Sequence, residues 1–422
     1  MNPIEILENN ARPGIRSGGG SIRTRTILFT NYITPYLSPV LRQLTNAVDS
    51  LRICLSTVME PDRSWEPNWD GLEVTLQKSF STVRRQRHIM GFETATFRHF
   101  PYDTLPILFR YRPDVVISSQ LGFRTIQAVV YRLICPQSRL VVWVDCSEHT
   151  ERGIGRVRTA IRRILGRTAD AVLVIGSSGA RYMRQIGISP NRIIQAPYVT
   201  ETGPFYSVSL QRDTRGARRL LYVGRLIEGK GLEAFVQEMA RFIEAHPARE
   251  LELWFVGDGP LRISLERIPL PPGLSLTFLG SVSYPDLSQY YGQAGACVLP
   301  TLSDTWGLVV NEALAAGVPV LGSRYSQAVE ELIQDGVNGW RFRPDCPGET
   351  QGVLENFLSA SDEELARMRC AARETVRHLT PEYMAGLFLK AIAMANSTRK
   401  GPDGISCDPP CADALDSSRR ER

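Results

Sequence analysis

The sequence predicts an α/β protein with two doubly wound parallel sheets, each in its own domain. Two series of short apolar segments alternate with amphipathic helical segments along the 422 residues. Alternation of this kind produces right-handed β-α-β units. A polar segment without periodicity, 201–217, separates the two series and is the predicted linker. Two such domains face a cleft that the carboxyl ends of their strands line, which is where these sheets bind ligands.

The first series predicts an N-terminal domain over residues 23–200. Apolar runs typical of buried parallel strands occur at 26–33, 51–57, 115–119, 140–145 and 171–176. Helical periodicity occurs at 38–48, 122–134 and 152–168. Residues 1–22 are polar and rich in glycine, a composition that predicts a flexible leader.

The second series predicts a C-terminal domain over residues 218–396. Strands are predicted at 220–224, 253–257, 274–280, 296–300 and 319–322. Helices are predicted at 231–245, 286–293, 308–316, 327–334 and 381–395. Residues 397–422 are small and polar and contain Pro and Gly, so we expect a disordered tail.

The composition excludes several classes of protein. Hydrophobic residues make up 43% and charged residues 22% of the chain. That is a globular balance and not that of a disordered, collagen-like or coiled-coil chain. No apolar run is long enough to span a bilayer and no signal-peptide core follows Met1, so we expect a cytoplasmic location. Eight cysteines without a Cys-x-x-Cys pair predict reduced thiols.

A strand-to-helix turn in the C-terminal domain carries two cations. The predicted strand ends at Gly224, the predicted helix starts near Gly231, and Arg225 and Lys230 lie between them. Such a turn offers free backbone N–H groups and the positive end of a helix dipole. Together with the two cationic side chains it makes a site for a diphosphate. The alternative is an ordinary turn with two solvated cations.

Two acidic residues, Asp304 and Glu312, lie eight positions apart around the start of a predicted helix. A carboxylate in the first turns can accept hydrogen bonds from two ribose hydroxyls, and amides at the helix start can donate to a phosphate. Gly307 relieves crowding where the backbone approaches a ligand. The alternative for a lone pair at this spacing is a helix cap at Asp304 and a surface acid at Glu312.

Five motifs of the C-terminal half occur in order, and together they resemble one family. They are similar to the C-terminal half of the retaining, nucleotide-sugar-dependent glycosyltransferases of group 1, the glycosyltransferase family 4 type. The resemblance is strong over 218–345 and weaker over 114–200. It implies the GT-B fold, in which two Rossmann-like domains face a cleft and the C-terminal helix crosses back to the first domain. The motifs are VGRLIEGKGL (223–232), VGDGP (256–260), FLGSV (278–282), LPTLSDTWGLVVNEALAAGVPVL (299–321) and DGVNGW (335–340).

The resemblance implies a role for each matching position. Arg225 and Lys230 would neutralise the donor diphosphate, which is the leaving group, and Glu312 would hold the ribose. Asp304 and the backbone after it would hold the sugar and the diphosphate, and no metal or further cofactor is required. The implied donor-binding residues are Gly224, Arg225, Lys230, Gly280, Ser281, Val282, Thr305, Gly307, Leu308, Val309 and Glu312. The implied catalytic residues are Asp304, His149, Lys230 and Arg225.

The sequence departs from the family pattern in two places. The family's usual first acid is Glu, and Asp304 shortens its reach by ~1.5 Å, about one C–C bond, while its charge and acceptor atoms remain. No glycine-rich turn follows the first predicted strand. The N-terminal domain is therefore expected to contact the acceptor more than the phosphate, with Tyr36 and Ser38 as acceptor-side candidates.

A polar loop after the 140–145 strand is expected to open onto the cleft. The resemblance implies a histidine or a carboxylate near the reacting sugar here, and Asp145, Glu148, His149 and Glu151 are the candidates. Each of them could orient the acceptor hydroxyl. The alternative is a polar loop with a solvated histidine.

The segment 152–167 carries six arginines and an apolar stripe. Residues 1–200 contain 26 Lys and Arg against 15 Asp and Glu, so the N-terminal half is basic. Such a helix could lie on an anionic membrane or hold an acceptor phosphate, or its apolar stripe could pack on the sheet. Nucleic acid is not an expected partner, because no binding motif accompanies the charge. The apolar stripe is Ile154, Val157, Ile161, Ile164 and Leu165, and the arginines opposite are Arg152, Arg156, Arg163 and Arg167.

The leading functional prediction is a retaining glycosyltransferase of bacterial polysaccharide or glycoconjugate biosynthesis, cytoplasmic or peripheral on the inner face of the membrane. Its partners would be a nucleotide-diphosphate sugar and a sugar, lipid-linked or other hydroxyl acceptor. The alternatives are a degenerate member that binds without turnover, and a GT-B epimerase or phosphorylase. No pyridoxal lysine context is evident for a phosphorylase. A nicotinamide dehydrogenase is disfavoured because the first strand lacks G-x-G-x-x-G.

Overall fold

The computed structural model describes residues 22–397 except 62, 64, 65, 202, 214 and 215. Two parallel sheets and an antiparallel hairpin contain the strands of this part of the chain. The strands are β1 (Ile22–Thr30), β2 (Val48–Leu55), β3 (Glu73–Leu76), β4 (Ser79–Arg87), β5 (Glu93–Pro101), β6 (Val115–Ser119), β7 (Arg139–Val144), β8 (Ala171–Val174), β9 (Ile193–Gln195), β10 (Arg219–Val223), β11 (Leu251–Val256), β12 (Leu274–Gly280), β13 (Ala296–Leu299), β14 (Val320–Ser323) and β15 (Gly339–Phe342).

The α-helices cover the faces of the two sheets. They are α1 (Leu37–Ala47), α2 (Thr104–Tyr111), α3 (Phe123–Ile134), α4 (Arg156–Thr168), α5 (Ser177–Gln185), α6 (Gly203–Tyr206), α7 (Leu232–Ala245), α8 (Arg262–Glu266), α9 (Leu287–Gly292), α10 (Leu308–Ala315), α11 (Gln327–Leu332), α12 (Pro347–Ser359), α13 (Asp362–Thr375) and α14 (Pro381–Ser397).

Both parallel sheets have the strand order of a doubly wound fold. The first sheet runs β3-β2-β1-β6-β7-β8-β9 and the second β12-β11-β10-β13-β14-β15. The chain reverses its direction of growth between β1 and β6 and between β10 and β13, and ligands of open α/β sheets bind at such switch points. Strands β6 and β8 are buried along their whole length, as expected where helices cover both faces. The prediction of two doubly wound sheets is confirmed.

Helix α14 crosses back from the second domain to the first, as the resemblance implied. The ring of Phe388 lies edge-on to Trp143 of β7, with 5.3 Å between the ring centroids. At the start of the helix, Glu382 accepts a hydrogen bond of 3.0 Å from the Gln43 side chain in α1. The first domain therefore buries part of its core under the last helix of the chain.

Several elements differ from their sequence-based assignment. Ile22 begins β1, so the predicted leader of 1–22 is one residue too long; its remainder and the predicted tail after Ser397 lie outside the described residues. The predicted linker contains α6, in which Phe205 is fully buried. The hairpin β4–β5 was not predicted, because most of its side chains are exposed on both faces and leave no apolar period.

The two domains meet around Gln327 at the start of α11. Its amide oxygen accepts a hydrogen bond of 3.0 Å from the Gly179 N–H of the first domain. Its amide nitrogen donates to the carbonyl oxygens of Cys146, at 3.0 Å, and Thr305, at 2.7 Å. One buried side chain thus fixes the loop after β7 relative to the loop after β13.

Candidate active site

The turn after β10 places two cations at the carboxyl edge of the second sheet. Gly231 adopts a left-handed φ of +66°, and a Cβ there would overlap the Pro300 carbonyl oxygen, so only glycine fits. The Gly229 carbonyl oxygen accepts hydrogen bonds from the Thr301 hydroxyl, at 3.1 Å, and from the Leu302 N–H, at 2.9 Å. These bonds fix the turn that carries Arg225 and Lys230 against the loop after β13.

Lys230 and Asp304 form an ion pair between these two loops. Both side chains are largely shielded, with exposed fractions of 21% and 17%. The Asp304 N–H donates to the Tyr325 carbonyl oxygen at 3.1 Å. No side-chain cap bond occurs at the start of α10, whose N-cap is Gly307. The alternative that Asp304 caps this helix is therefore wrong.

Gly307 allows α10 to begin directly after the loop that follows β13. Its φ is +100°, and a Cβ there would lie 2.8 Å from the Ser326 hydroxyl and 3.0 Å from a methyl group of Leu299. The first N–H groups of a helix have no partner within the helix and carry the positive end of its dipole. The backbone of Leu308 and Val309 occupies this position, which suits an anionic group.

Glu312 lies inside α10 and is almost fully buried, with 8% exposed. Its carboxylate accepts a hydrogen bond of 3.0 Å from the Tyr291 hydroxyl in α9. Burial raises the pKa of Glu312 to about 7, and the Tyr291 hydrogen bond opposes part of that rise. The alternative of a surface acid is therefore wrong, because this carboxyl group has one fixed donor and little water.

Gly280 ends β12 beside the same edge, with a left-handed φ of 73°. Its carbonyl oxygen accepts a 2.7 Å hydrogen bond from the Gly257 N–H, while Ser281 is exposed and Val282 half-buried. The second sheet thus brings the turn after β10, the start of α10 and the residues after β12 to one edge.

The comparisons with known proteins identify the segment that carries these features. Residues 217–359 match the family model described as glycosyl transferases group 1. This segment is a group 1 glycosyltransferase domain. The sulfoquinovosyl transferase SQD2 of Arabidopsis thaliana is 33% identical over 273 residues, which cover 58% of this chain and 51% of the relative. A D-inositol 3-phosphate glycosyltransferase of Pseudarthrobacter chlorophenolicus is 28% identical over 187 residues, covering 42% and 43%. The chain thus spans about half the length of these relatives.

Solved structures are similar in fold to both domains of this chain and not only to the segment that matches the family model. The lipopolysaccharide outer core galactosyltransferase WaaB superposes with a TM-score of 0.65 at 16% identity, covering 87% of this chain and 99% of that one. HepE of Anabaena in complex with UDP gives 0.65 at 13% identity, with the same coverage. The predicted GT-B fold is confirmed.

A cavity of about 740 Å³, here called the main cleft, separates the glycosyltransferase domain from the N-terminal domain. Arg225 and Thr305 line it from one side, and Tyr36 and Asp145 from the other. The cleft therefore brings two predicted donor-side residues opposite two predicted acceptor-side residues. Ser38, the other acceptor-side candidate near Tyr36, is buried, and its hydroxyl donates to the Asn68 carbonyl oxygen at 3.1 Å.

Asp145 follows β7, and its side chain lines the main cleft. Burial raises its pKa to about 6; the nearby Glu151 adds to this rise and Arg162 opposes it. Glu151 also lines the cleft but is paired with Arg162. Asp145 is therefore a carboxyl group that titrates below neutral pH, at the end of a strand and facing the other domain.

His149 and Glu148 lie elsewhere in the same loop. His149 lines a second cavity, of about 560 Å³, where its ring centroid lies 5.0 Å from that of Tyr325. Burial and the neighbouring Arg152 lower the pKa of His149. Glu148 accepts hydrogen bonds of 2.7 Å from Arg181 and from Gln185. Neither side chain is among those that line the main cleft.

The hairpin β4–β5 supplies site residues that sequence reasoning missed. Phe92, at its tip, packs on Gly229, where a Cβ would lie 3.0 Å from the ring. The neighbouring Glu93 N–H donates to the Glu228 carboxylate at 3.1 Å. The first domain thus contacts the cationic turn of the glycosyltransferase domain directly. The arginines of the main cleft on the N-terminal side are Arg63, Arg84, Arg98, Arg158 and Arg162.

Within residues 22–397, apart from the six positions named above, no cluster of three or more His, Cys, Asp or Glu could hold a metal ion. In the same residues no helix has both the length and the apolar character needed to cross a bilayer.

Proposed function

We propose that this protein transfers a sugar from a nucleotide-diphosphate sugar to an acceptor hydroxyl, with retention at the anomeric carbon. The ion pair between Lys230 and Asp304 at the switch point of the second sheet carries the proposal, and Arg225 of the same turn lines the main cleft. The similarity to a sulfoquinovosyl transferase and to a D-inositol 3-phosphate glycosyltransferase supports it, since both of those proteins are named for the transfer of a sugar.

The second domain would bind the donor. Arg225, Lys230 and the first amides of α10 would stabilise the diphosphate as it leaves, because preorganised donors act most strongly where charge develops. Glu312 would accept hydrogen bonds from the ribose, and the backbone at Gly280, Ser281 and Val282 would border the base. Asp304, held by Lys230, would accept from hydroxyls of the transferred sugar. The solved complex of HepE with UDP and glucose supports a donor of this class.

The first domain would bind the acceptor. We assign the orienting role to Asp145 in preference to His149, because Asp145 lines the main cleft together with Arg225. A carboxylate at this position can accept the hydrogen bond of the incoming hydroxyl and hold it near the donor sugar. Arginines outnumber carboxylates along the cleft, which favours an acceptor with a negative group.

The product would belong to polysaccharide or glycoconjugate biosynthesis. Relatives and structural neighbours with such names, a glycogen synthase of Mycobacterium tuberculosis and the lipopolysaccharide galactosyltransferase among them, support this assignment. A bacterial pathway and a cytoplasmic location stay predictions from the sequence.

A two-step experiment tests the function. Thermal shift against UDP- and GDP-sugars identifies the donor, because a ligand that binds the folded state raises the melting temperature. Donor hydrolysis and transfer are then measured for the full chain, for Lys230→Ala and for Lys390→Ala, an exposed lysine on α14. We expect only Lys230→Ala to lose activity. Donor binding without hydrolysis or transfer would indicate a non-catalytic member, and conversion of the donor without acceptor would indicate an epimerase.

A further inference from the structure

The outer surface of the first domain carries an apolar stripe on α3. This helix buries Ala128 and Val129 against the first sheet, yet its opposite face is also apolar. Leu133 is 70% exposed. When one face of a helix packs on a sheet and the opposite face is also apolar, the opposite face is not covered by the rest of the domain. The exposed side chains are Phe123, Ile126, Val130, Leu133 and Ile134.

A second exposed stripe lies on α4, beside α3. Only Leu165 among the apolar residues of α4 is buried. Val157, Ile161 and Ile164 face outward. The sequence left open whether the whole apolar stripe of this helix packs on the sheet; most of it does not. The exposed apolar side chains of α3 and α4, together with Arg156, Arg163 and Arg167 of α4, are here called the basic apolar face.

The charge of the basic apolar face has one sign. Neither α3 nor α4 contains an acidic residue. The exposed arginines of α4 that do not line the main cleft are Arg156, Arg163 and Arg167. Two of them are extended along the surface, because Arg163 donates to the Ile186 carbonyl oxygen and Arg167 to that of Gly187, each at 3.0 Å.

This charge pattern favours an anionic bilayer over a second copy of the chain as the partner of the basic apolar face. In a symmetric dimer the same patch meets itself, so a second copy would bring arginine against arginine with no carboxylate in either helix. An anionic bilayer offers phosphate groups to the arginines and acyl chains to the apolar side chains, which is how basic amphipathic helices bind lipid. Helix α3 adds exposed apolar side chains to this surface and α4 supplies its exposed arginines, so the surface is broader than a single helix.

An aromatic rim connects the basic apolar face to the main cleft. Phe123, the first residue of α3, lies 6.0 Å from Phe100 between ring centroids, and Phe100 stacks on Phe80 at 4.8 Å. Phe100 and Phe123 also line the main cleft. The entrance to the acceptor side of the cleft therefore opens beside the apolar stripe.

We propose that the basic apolar face docks on an anionic lipid bilayer, and that a lipid-linked acceptor enters the main cleft from it past Phe100 and Phe123. The docking depends only on the surface, whereas the acceptor's identity rests on the proposed glycosyltransferase function.

Vesicle sedimentation with the full chain tests the docking. The probes are phosphatidylcholine vesicles with and without phosphatidylglycerol. We expect binding to the anionic vesicles, weakened by salt, and a loss of about tenfold or more in the double variant Leu133→Asp, Ile164→Asp. The matched control is Ile263→Asp, on α8 of the second domain, where an equally exposed apolar side chain is replaced by the same charge. Thermal melting establishes that each variant is folded.

Four outcomes overturn the docking. They are equal binding to neutral vesicles, unchanged binding of the double variant, loss of binding in Ile263→Asp, and a dimer in light scattering that the double variant dissociates. Donor binding by thermal shift is measured on the same samples. A protein that binds vesicles but no nucleotide-sugar would contradict the proposed function and leave the docking intact. Transfer to a water-soluble acceptor at the same rate as to a vesicle-borne one would overturn the lipid-linked acceptor.

Discussion

Lys230 forms an ion pair with Asp304 across the loops that follow two neighbouring strands, β10 and β13. The two loops are joined to each other, because Gly229 accepts hydrogen bonds from Thr301 and Leu302, and the second loop is also held by the Asp304 N–H bond to Tyr325. Hydrogen bonds of the loops thus fix the positions of Lys230 and Asp304 at the switch point. The pair does not form between two flexible surface side chains. We expect a pair in this position to govern donor chemistry more than stability.

Replacing Lys230 by Ala is expected to lower kcat/KM for transfer by about 100-fold or more, because it removes a cation at the leaving diphosphate. The melting temperature should change little, since the loops remain fixed by backbone bonds. Steady-state kinetics with the donor in excess measures the effect, with Lys390→Ala as control. Near-native kcat/KM in a folded Lys230→Ala protein would contradict the assignment.

The carboxylate of Asp304 should matter for its charge. Asp304→Glu keeps a carboxylate for Lys230 and is expected to retain most activity, whereas Asp304→Asn leaves the lysine without its counter-charge and should lose about tenfold or more. Asp362→Asn is the control, because Asp362 forms an exposed pair with Arg218 and such pairs contribute little. Equal kcat/KM for Asp304→Asn and the native protein would show that the position does not contact the donor.

Glu312 makes stability depend on pH in a predictable direction. Its pKa is raised by burial to about 7, so the folded state holds a proton that the unfolded state has lost. The free energy of unfolding should therefore fall as pH rises from about 4.5 to about 7 and then level off. Glu312→Gln removes this dependence, and urea unfolding at several pH values should show a flatter profile than for the exposed Glu374→Gln. Identical profiles for the native protein and Glu312→Gln would contradict the raised pKa.

The position of the proposed donor-side residues at one edge of the second sheet could be predicted because their spacing is local. Arg225, Lys230, Asp304 and Glu312 lie on one turn and one helix start, and a parallel sheet brings such points to the same edge whatever the rest of the chain does. The choice between the acids and the histidine after β7 could not be made. It depends on how Gln327 holds Cys146, a contact between residues 181 positions apart.

The buried face of α4 could likewise not be predicted from the sequence of the helix alone. Periodicity predicts the apolar stripe of α4 but not which side faces the sheet, and the fold buries Arg162 and Leu165 while it exposes Val157 and Ile164. Arg162 can be buried because Glu151 and the Tyr182 hydroxyl bind it. These partners come from other elements, and a single helix does not reveal them.

The pH dependence of kcat/KM for transfer distinguishes Asp145 from His149 as the residue that orients the acceptor. With a pKa of about 6, Asp145 should give kcat/KM for transfer an acidic limb, with activity falling as pH drops through that value. Asp145→Asn should lower transfer and abolish this limb while donor binding in thermal shift persists. His149→Gln should keep the limb, because His149 lines the other cavity. A profile that loses its acidic limb in His149→Gln and keeps it in Asp145→Asn would reverse the assignment.

The arginines of α4 provide a test of membrane docking that is independent of its apolar side chains. Each basic residue near an anionic surface contributes about 1 kcal/mol to the binding free energy, screened by salt. Reversing its charge costs about twice as much binding free energy as removing the charge, because repulsion replaces attraction. Arg156→Glu with Arg163→Glu should therefore abolish sedimentation with anionic vesicles and reduce transfer to a vesicle-borne acceptor. Donor hydrolysis should be spared, since the donor residues lie in the other domain. Arg377→Glu, in an exposed pair of the second domain, is the matched control. Sedimentation of the double variant at the native level would mean that the arginines do not face the lipid.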